Sequence, residues 1–382
     1  GAMWDVKQEE FLQASDLIAD LRIRASFGQT ASPFGSSFAY LPTYGVNTSY
    51  GGQQGIRPNN IGNPDFDWEY VDEFNTGFDL SLLPSRRINI EFDWYNRITK
   101  NMFIDQPLSA TSGASSALLS TGKMRNRGIE LKVSADIIKN DQLTWNVSIN
   151  GGYNSNTILR VTDITDELPD GDTRIIKVGL PYGTYFAPRW AGVNPENGEA
   201  QYYNADGTIV NVYNEEDQAV PLDASLYPKL TGGISTSLSW KELTLSGLLS
   251  FVSDVQRWNN IDFYNENQAY MTSNQSKRML YDRWKKPGDI VDLQRIDIPR
   301  NFTSKDIQDA AFMRLRNVKL AYKVPVHLLN QKFLKSVSVF AQGENLITWT
   351  TWRGLDPENN RQYGRFEYPN ARKYTAGINV NF

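Results

Sequence analysis

The connections between strands constrain this chain more than any other feature of its sequence. About ten segments alternate between apolar and polar residues with period two, which is the pattern of β-strands. Each runs for roughly 10–12 residues, the length that a tilted strand needs to cross a bilayer. The segments start near Leu21, Phe74, Ile88, Ile129, Leu143, Leu230, Leu243, Val318, Val337 and Tyr374.

Short and long connections between these segments alternate strictly. The short ones are Pro84-Ser85, Asn140-Asp141, Lys241-Glu242 and a longer turn from Pro325 to Leu334, whereas the long ones cover about 31–73, 97–127, 154–229, 254–311 and 346–371. A soluble β-sandwich can show the same alternation but rarely carries unstructured connections beyond about 12–15 residues. Outer-membrane barrels combine short periplasmic turns with long extracellular loops. The pattern therefore predicts an all-β, antiparallel transmembrane β-barrel wall whose last strand runs down to the periplasm.

The two faces of the predicted strands differ in chemistry. In the segment from Leu143, for example, Trp145, Val147 and Ile149 alternate with hydroxyl and amide side chains. A face of polar side chains cannot form a dry core without many hydrogen-bonding partners. We therefore expect one face to meet hydrocarbon and the other to line water or pack against polar protein, as in a wide barrel that holds a plug.

Aromatic residues lie at the predicted strand ends, where amphipathic rings favour the membrane interfaces. Trp145, Trp240 and Phe382 fall at periplasmic ends, and Trp94, Phe251 and Tyr374 fall at extracellular ends. We predict that these six residues are membrane-interface aromatics. The alternative is that the rings fill a soluble core.

Composition argues against catalysis, metal binding and nucleic-acid binding. The chain has no cysteine, which excludes disulfides and thiolate sites. It has a single histidine, which makes a Ser-His-Asp arrangement improbable. His327 falls on a predicted periplasmic turn. The segment Asn204 to Gly207 resembles the start of a calcium loop, but the position of the closing Glu is occupied by Tyr213, so a tight turn is the better interpretation. The net charge is −4, and phosphate binding requires a clustered basic surface. We expect no enzyme activity, no metal, no cofactor and no nucleic-acid partner. No apolar run is long enough for a transmembrane helix.

Aromatic residues of the predicted loops are the best candidates for contacts with a substrate. A flat ring can stack on the apolar face of a sugar or bury a peptide side chain. The candidates are Tyr185, Trp190, Tyr202, Trp258, Tyr264 and Trp352. The alternative is that such rings hold the long loops together or pack against a partner protein. Residues 271–286 contain few helix breakers and predict a short surface helix.

Several stretches of the chain resemble the C-terminal half of SusC/RagA-type TonB-dependent transporters of Bacteroidetes. The longest runs from Asp105 (DQPLSATSGASSALLSTGKMRNRGIEL) to Leu131. Others are LRIRASFGQT from Leu21, WEYVDEFNTGFD from Trp68, DRWKKPGD from Asp282, FMRLRNVKL from Phe312 and ENLITWTTWRGLDPE from Glu344. Together they follow the family's order over nearly the whole chain.

This resemblance implies a barrel of 22 strands, of which the chain supplies about ten C-terminal ones. The plug domain and the remaining strands would come from the upstream N-terminal part of the same transporter, and the plug is absent from this chain. A SusD-like lipoprotein would cap the extracellular mouth, the TonB-ExbB-ExbD complex would act through the missing plug, and outer-membrane lipid would surround the wall.

The predicted function is import of a nutrient oligomer, a glycan or a peptide, across the bacterial outer membrane. No bond is made or broken in such a process. A passive outer-membrane channel without a plug is the first alternative, and a soluble or surface-attached glycan-binding β protein is the second. Loop aromatics suit either type of cargo.

Overall fold

The computed structural model describes residues 1–33, 38, 40–325, 334–358, 363–364 and 366–382. Its strands in chain order are β1 (Ala2–Asp5), β2 (Ile18–Ser32), β3 (Thr43–Tyr50), β4 (Gln53–Asn60), β5 (Glu69–Leu82), β6 (Ile88–Pro107), β7 (Ser116–Lys139), β8 (Leu143–Arg160), β9 (Glu167–Pro169), β10 (Arg174–Lys177), β11 (Thr184–Val193), β12 (Ala200–Tyr203), β13 (Ile209–Val210), β14 (Ala219–Ser225), β15 (Leu230–Trp240), β16 (Leu243–Ser253), β17 (Gln256–Asn259), β18 (Ile307–Asp309), β19 (Phe312–Val324), β20 (Ser336–Thr350), β21 (Tyr363–Gly364) and β22 (Lys373–Asn381).

Eleven of these strands form one long sheet in the order β1-β2-β5-β6-β7-β8-β15-β16-β19-β20-β22. Every neighbouring pair is antiparallel, with continuous registers such as Ile149 opposite Ile234 and Ile234 opposite Leu249. The ten predicted strands are confirmed, and the short β1 adds an eleventh beside β2. The order of the strands follows the chain, so each short turn and each long connection joins neighbours in the sheet.

The tight turns lie where the sequence predicts them, and they all join the strands at the same end of the sheet. Lys241, in the turn between β15 and β16, has a φ of 52°, a left-handed conformation that tight turns between strands require. Residues 326–333 of the longer turn, including His327, lie outside the described residues. The long connections all leave from the opposite end of the strands, which is called the long-loop side below.

Several strands continue further into the predicted loops than expected. β6 extends to Pro107 and β7 begins at Ser116, so the loop predicted at 97–127 is largely a β-hairpin. β5 likewise begins at Glu69 and β20 ends at Thr350, inside the predicted loops 31–73 and 346–371. The backbones of two strands can pair without any alternation of their side chains. These extensions lack the apolar face that identifies the strand segments nearer the tight turns, so the sequence pattern does not predict them.

The long connections fold into small sheets and helical turns of their own. One sheet has the order β13-β12-β11-β10-β9 with β14 also on β11, a second has the order β18-β17-β21, and β3 pairs with β4. The helices are α1 (Glu10–Gln13), α2 (Glu215–Gln218), α3 (Asn260–Asn265) and α4 (Arg278–Tyr281), with 3-10 turns at Val6–Gln8, Ala110–Ser112, Gln268–Tyr270 and Ser304–Asp306.

The helix predicted at 271–286 is reduced to the single turn of α4, followed at once by a bridge between Arg283 and Leu293. Pro287-Gly288 and the exposed position of the segment leave no apolar stripe to bury, and isolated helices of this length are marginal. Within the described residues, no helix is long and apolar enough to cross a membrane, which does not bear on crossing by strands.

Gly128 shows how a local sequence choice fixes the long sheet. Tyr95 lies opposite it on β6, and its hydroxyl donates to Asn154 Oδ1 on β8 at 3.0 Å. A Cβ at Gly128 would lie 2.6 Å from the Tyr95 hydroxyl oxygen and 2.2 Å from the backbone oxygen of Tyr153. Glycine is therefore required for the ring of Tyr95 to cross over β7 and join three strands.

Candidate functional site

The long sheet has one apolar face, which is exposed. Ile149 and Ile234 face each other across β8 and β15, and Trp145 faces Leu238, whose other neighbour is Leu245. Ile149 is 47% exposed and Leu245 is 44% exposed, and many other apolar residues on this face are similarly exposed. A contiguous exposed apolar surface of this size marks contact with a membrane or with another protein.

The opposite face carries ion pairs and hydrogen bonds between neighbouring strands. Arg24 on β2 bridges Asp79 on β5 and Asp93 on β6, and Lys132 Nζ on β7 lies 2.7 Å from Glu91 Oε1. Closer to the turns, the hydroxyls of Ser134 and Ser148 are 2.8 Å apart, and Asn146 Nδ2 donates to Asp136 Oδ1 at 3.0 Å. These polar atoms are partnered across strands, so the face is suited to water or polar protein and not to hydrocarbon.

Five of the six aromatics predicted at the membrane interfaces lie near the ends of the long-sheet strands, whereas Trp94 lies inside β6, which continues to Pro107. Trp94 packs edge-on against Phe74 with ring centroids 6.0 Å apart, and Trp145 Nε1 donates to Thr236 Oγ1 at 3.0 Å. Trp240 ends β15, where Lys241 Nζ lies 5.7 Å from its ring centroid. These three residues are all more than a third exposed, as are Tyr374 and Phe382, and Phe251 is half-buried. Their role at the membrane interfaces remains a prediction.

The connections 161–229, 254–311 and 351–358 pack into one unit on the long-loop side, called the loop domain below. The backbone N–H of Trp190 donates to Ser304 Oγ at 3.0 Å, and the hydroxyl of Tyr213 donates to the carbonyl of Phe302 at 3.1 Å. Trp284 Nε1 donates to the carbonyl of Pro195 at 3.0 Å. The first and second connections are therefore held together by hydrogen bonds at several separate points.

The third connection is held by an arginine clamp, made of Arg257, Arg314 and Arg316. Arg314 contacts both Asp356 and Glu358, Arg316 contacts Glu358, and Arg257 donates to the carbonyl of Pro357. Arg314 is almost completely buried. Burial would raise the pKa of the Asp356 carboxyl, but hydrogen bonds from backbone N–H groups and from Arg314 hold it below its usual value.

A second charged cluster lies inside the 254–311 connection. Arg300 contacts the carboxylates of Asp306, at 2.7 Å, and Glu266, at 3.5 Å, and all three side chains are buried. Burial raises the pKa of both carboxyls. Lys305 lies 3.5 Å from Asp292 and 4.8 Å from the ring centroid of Trp190, and burial lowers its pKa to about 8. These contacts order a connection that has little regular structure.

Three of the candidate substrate-binding aromatics are buried in the loop domain. Tyr185 is 0% exposed, Tyr202 is 2% exposed and Trp352 is 6% exposed. Trp352 packs with Val255 and Ala310, so it joins two connections. In this arrangement the three rings pack the loops together, and their contact with a substrate remains a prediction. The partners of Trp352 lie 97 and 42 residues away along the chain, at Val255 and Ala310, so no local pattern in the sequence reveals its burial.

The other three candidates are half-buried and also engaged with neighbouring rings. Trp190 packs against Tyr202 at 5.8 Å between centroids, and Trp258 packs against Phe302 at 4.8 Å. Tyr264 packs against Tyr270 at 4.6 Å. Contact of these three with a substrate remains a prediction.

Sequence reasoning missed a cavity of about 600 Å³ where the loop domain meets the edge of β8. Its wall includes Asn126, Asn154 and Asn156, together with Tyr182 and Tyr227. The two tyrosine rings stack with centroids 5.9 Å apart. Tyr182 and Tyr227 are also loop aromatics, but only the register of β7 against β8 brings the three asparagines next to them.

Two further expectations concern metal sites. Within the described ranges, no group of three or more His, Cys, Asp or Glu side chains could hold a metal ion. The segment Asn204 to Thr208 forms a tight turn in which Asp206 Oδ1 accepts from the backbone N–H of Thr208 at 2.9 Å.

Comparisons with known proteins assign the family. Residues 1–346 match the family model described as TonB dependent receptor-like, β-barrel. The TonB-dependent receptor P3 of Formosa agariphila is 26% identical over 99% of this chain and 41% of its own length. The TonB-dependent receptor SusC of Bacteroides thetaiotaomicron is 24% identical over 99% of this chain and 39% of its own length.

A solved structure of the RagAB peptide transporter superposes on 100% of this chain with a TM-score of 0.90 and 30% identity, and the match covers 43% of that transporter chain. The chain therefore spans about two-fifths of the length of the relatives it matches. These matches confirm the resemblance seen in the sequence motifs and the antiparallel barrel fold, and they place the protein in the bacterial outer membrane. The apolar face of the long sheet is thus the lipid side and its polar face the lumen side, and the chain belongs to the TonB-dependent receptor-like β-barrel family.

Proposed function

We propose that this chain forms part of the wall of an energised importer that carries a nutrient oligomer, a glycan or a peptide, through the outer membrane. The observation that carries the proposal is the combination of a wall with a wet inner face and a folded loop domain at its long-loop side. A purely structural barrel would not need three long connections that pack together around buried tyrosines, tryptophans and ion pairs.

The wall acts in this proposal by containing the cargo and not by reacting with it. The lumen side presents carboxylates, amides and hydroxyls that already hydrogen-bond across strands, so water can fill the space beside them at little cost. The remaining strands and a plug would come from the upstream part of the same polypeptide. A SusD-like lipoprotein is the expected extracellular partner, and TonB with ExbB and ExbD is the expected energy source. Support for these partners comes from relatives named SusC and RagAB.

Uptake by cells that carry the full-length transporter tests this function. Cargo accumulation should stop when the inner-membrane proton gradient is collapsed, and it should also stop when TonB is removed, because import against a gradient needs an energy source. The matched control is diffusion of a small sugar through an unrelated porin, which neither treatment should change.

A passive channel is the alternative that this experiment addresses directly. Flux that continues after the gradient is collapsed, and that only follows the external concentration, would contradict the importer. Purification in detergent adds a second readout, since the importer should co-purify with a lipoprotein. A surface glycan-binding protein would instead be extracted without detergent.

A further inference from the structure

The cavity beside β8 exists because two neighbouring strands end at different heights. β15 pairs with β8 only as far as Leu230 opposite Tyr153, whereas β8 continues to Arg160. Beyond that point the edge of β8 is covered by two segments of the chain. The N–H of Asn154 donates to the carbonyl of Lys229 at 2.8 Å, and the N–H of Ile158 donates to the carbonyl of Leu180 at 2.9 Å. The cavity is the space left between these two contacts.

One residue of strand edge faces this space. Along a strand, the N–H and C=O groups turn to the same side at every second residue. Because Asn154 and Ile158 both turn theirs to this side, Asn156 between them does so too, with no backbone partner there among the described residues. A single residue of open edge is too short for an extended peptide to add as a strand, which uses alternate residues over a longer stretch. The edge can instead give one donor and one acceptor to a small polar ligand.

Three asparagine side chains form the polar part of the wall. Asn126 Oδ1 accepts from Asn154 Nδ2 at 3.2 Å and from Asn156 Nδ2 at 2.8 Å. The other oxygens of the group are also used, since Asn154 Oδ1 accepts from Tyr95 and Asn156 Oδ1 accepts from the N–H of Tyr182 at 2.7 Å. The Nδ2 group of Asn126 has no protein partner in the described part of the chain, so it is an amide donor available to a ligand.

Another part of the cavity wall is formed by the rings of Tyr182 and Tyr227, which pack against other parts of the chain on the side away from the cavity. Tyr182 packs against the buried cluster of Ile104, Ile158, Val161 and Leu168. Tyr227 stacks on it and remains 50% exposed. Gly183 has a φ of 86°, and a Cβ there would lie 2.7 Å from Tyr227 Cδ2. The backbone therefore supports the Tyr227 ring closely, and part of the ring stays open to the cavity.

Charge and size narrow the ligand class. Among the described residues that line the cavity, Lys229 is the one that carries a charge, so none of them is a carboxylate that could attract a cationic peptide. The volume of about 600 Å³ falls within the range of roughly 300–1,000 Å³ typical of small-molecule sites. A neutral ring with an apolar face and hydroxyl groups at its edge matches a tyrosine face opposite amide donors.

We propose that this cavity binds one sugar ring of the cargo, stacked on Tyr227 and hydrogen-bonded by Asn126 and the backbone of Asn156. This assignment rests on the import function proposed above and selects a glycan over a peptide as the cargo. The 30% identity to the RagAB peptide transporter leaves the residues of this cavity free to differ between the two proteins.

Binding to the full-length transporter, purified in detergent, tests the assignment. The probes are maltotetraose, cellotetraose, xylotetraose and laminaritetraose, with neutral tetrapeptides as the competing class, and titration calorimetry measures affinity. We expect at least one tetraose to bind. Tyr227→Ala should weaken that binding roughly tenfold, which corresponds to about 1.4 kcal/mol and is within the range of a stacked aromatic ring.

Matched variants separate a binding role from a folding role. Asn126→Asp keeps the oxygen that accepts from Asn154 and Asn156 but removes the amide donor, so it should weaken binding several-fold without loss of folded protein. Tyr227→Phe keeps the stacking ring and should recover most of the affinity that Tyr227→Ala loses. Tyr281→Ala alters a tyrosine that is 75% exposed elsewhere on the loop domain and should have no effect.

The outcomes distinguish this assignment from the importer itself. Binding of tetrapeptides alone, binding of no tetraose, or tetraose binding that Tyr227→Ala and Asn126→Asp leave unchanged would each overturn the sugar site. None of these results affects the dependence of uptake on the proton gradient, which tests the importer separately. Uptake without that dependence would refute the importer even if the cavity binds a sugar.

Discussion

Replacing Arg314 by methionine should release the third connection from the wall. Arg314 is 2% exposed and holds two carboxylates, Asp356 and Glu358. After the change, Asp356 keeps backbone N–H bonds from Glu358 and Asn370, both at 2.9 Å, and Glu358 keeps Arg316. The cost therefore falls below the 3–5 kcal/mol typical when a buried charge loses its one partner. We expect about 2–3 kcal/mol for the two lost charge-assisted bonds.

Arg316→Met is the matched control for this prediction. Arg316 is 26% exposed and shares Glu358 with Arg314, so its loss should cost about 1 kcal/mol or less. Both variants keep an unbranched side chain of similar length on β19. The difference between them isolates the contribution of the buried position.

Hydrogen exchange of residues 351–358 in the full-length protein measures the effect. If local opening limits exchange, a cost of 2–3 kcal/mol raises the rate roughly 30- to 160-fold, since each 1.36 kcal/mol is a factor of ten. Peptides from β8 and β15 should exchange as before. Equal rates in the Arg314→Met and Arg316→Met proteins would refute the reasoning.

The same clamp should respond to acid. The pKa of Asp356 is lowered in the folded state, so its carboxylate stabilises the clamp above the unfolded pKa, and this contribution is lost as the pH falls through the folded pKa. Opening of residues 351–358, measured as exchange relative to the intrinsic amide rate at each pH, should therefore accelerate below about pH 4, the region of an ordinary Asp pKa. Asp356→Asn should remove this acceleration, and an unchanged pH profile in that variant would contradict the assignment.

Three further predictions address the wall and the loop domain. Ile234→Arg on the lipid side should lower the free energy of unfolding in lipid by about 2–4 kcal/mol, whereas Ser235→Arg on the lumen side should cost little; equal losses in urea unfolding would contradict the facing of the sheet. Gly128→Ala should cost about 1–3 kcal/mol through overpacking, whereas Gly28→Ala, with nothing within 4 Å of its Cβ, should be nearly neutral in the same assay. Burial lowers the pKa of Lys305 to about 8 in the folded state, so the charged form opposes folding below that pH; resistance of the loop domain to protease should rise from pH 8 towards pH 10, and Lys305→Met should lose this rise.

The wall could be predicted from sequence because its physics is local and periodic. Trp145, Val147 and Ile149 reveal their strand through alternation alone, and Lys241-Glu242 reveals a turn by separating two such runs. The lack of alternation over Asn96 to Lys100 and over Thr121 to Asn126 predicts a loop, although the two segments pair as parts of β6 and β7.

The loop domain could not be predicted in the same way, since its contacts join residues far apart in the chain. Arg257 and Pro357 are 100 residues apart, and Trp190 and Ser304 are 114 residues apart. No periodic signal connects such positions. Tyr185 and Tyr202 are of a residue type that suits binding, but their burial depends on how these connections fold together.

The shared packing of three connections limits how such a transporter can be re-engineered or can diverge. Trp352 comes from one connection, while Val255 and Ala310, which surround it, come from another. A single connection transplanted from a relative with a different cargo would arrive without the side chains that it packs against. A new cargo preference should therefore be acquired by exchanging the whole loop domain at once. The other route is to change residues that point into open space, which leaves the shared interior intact.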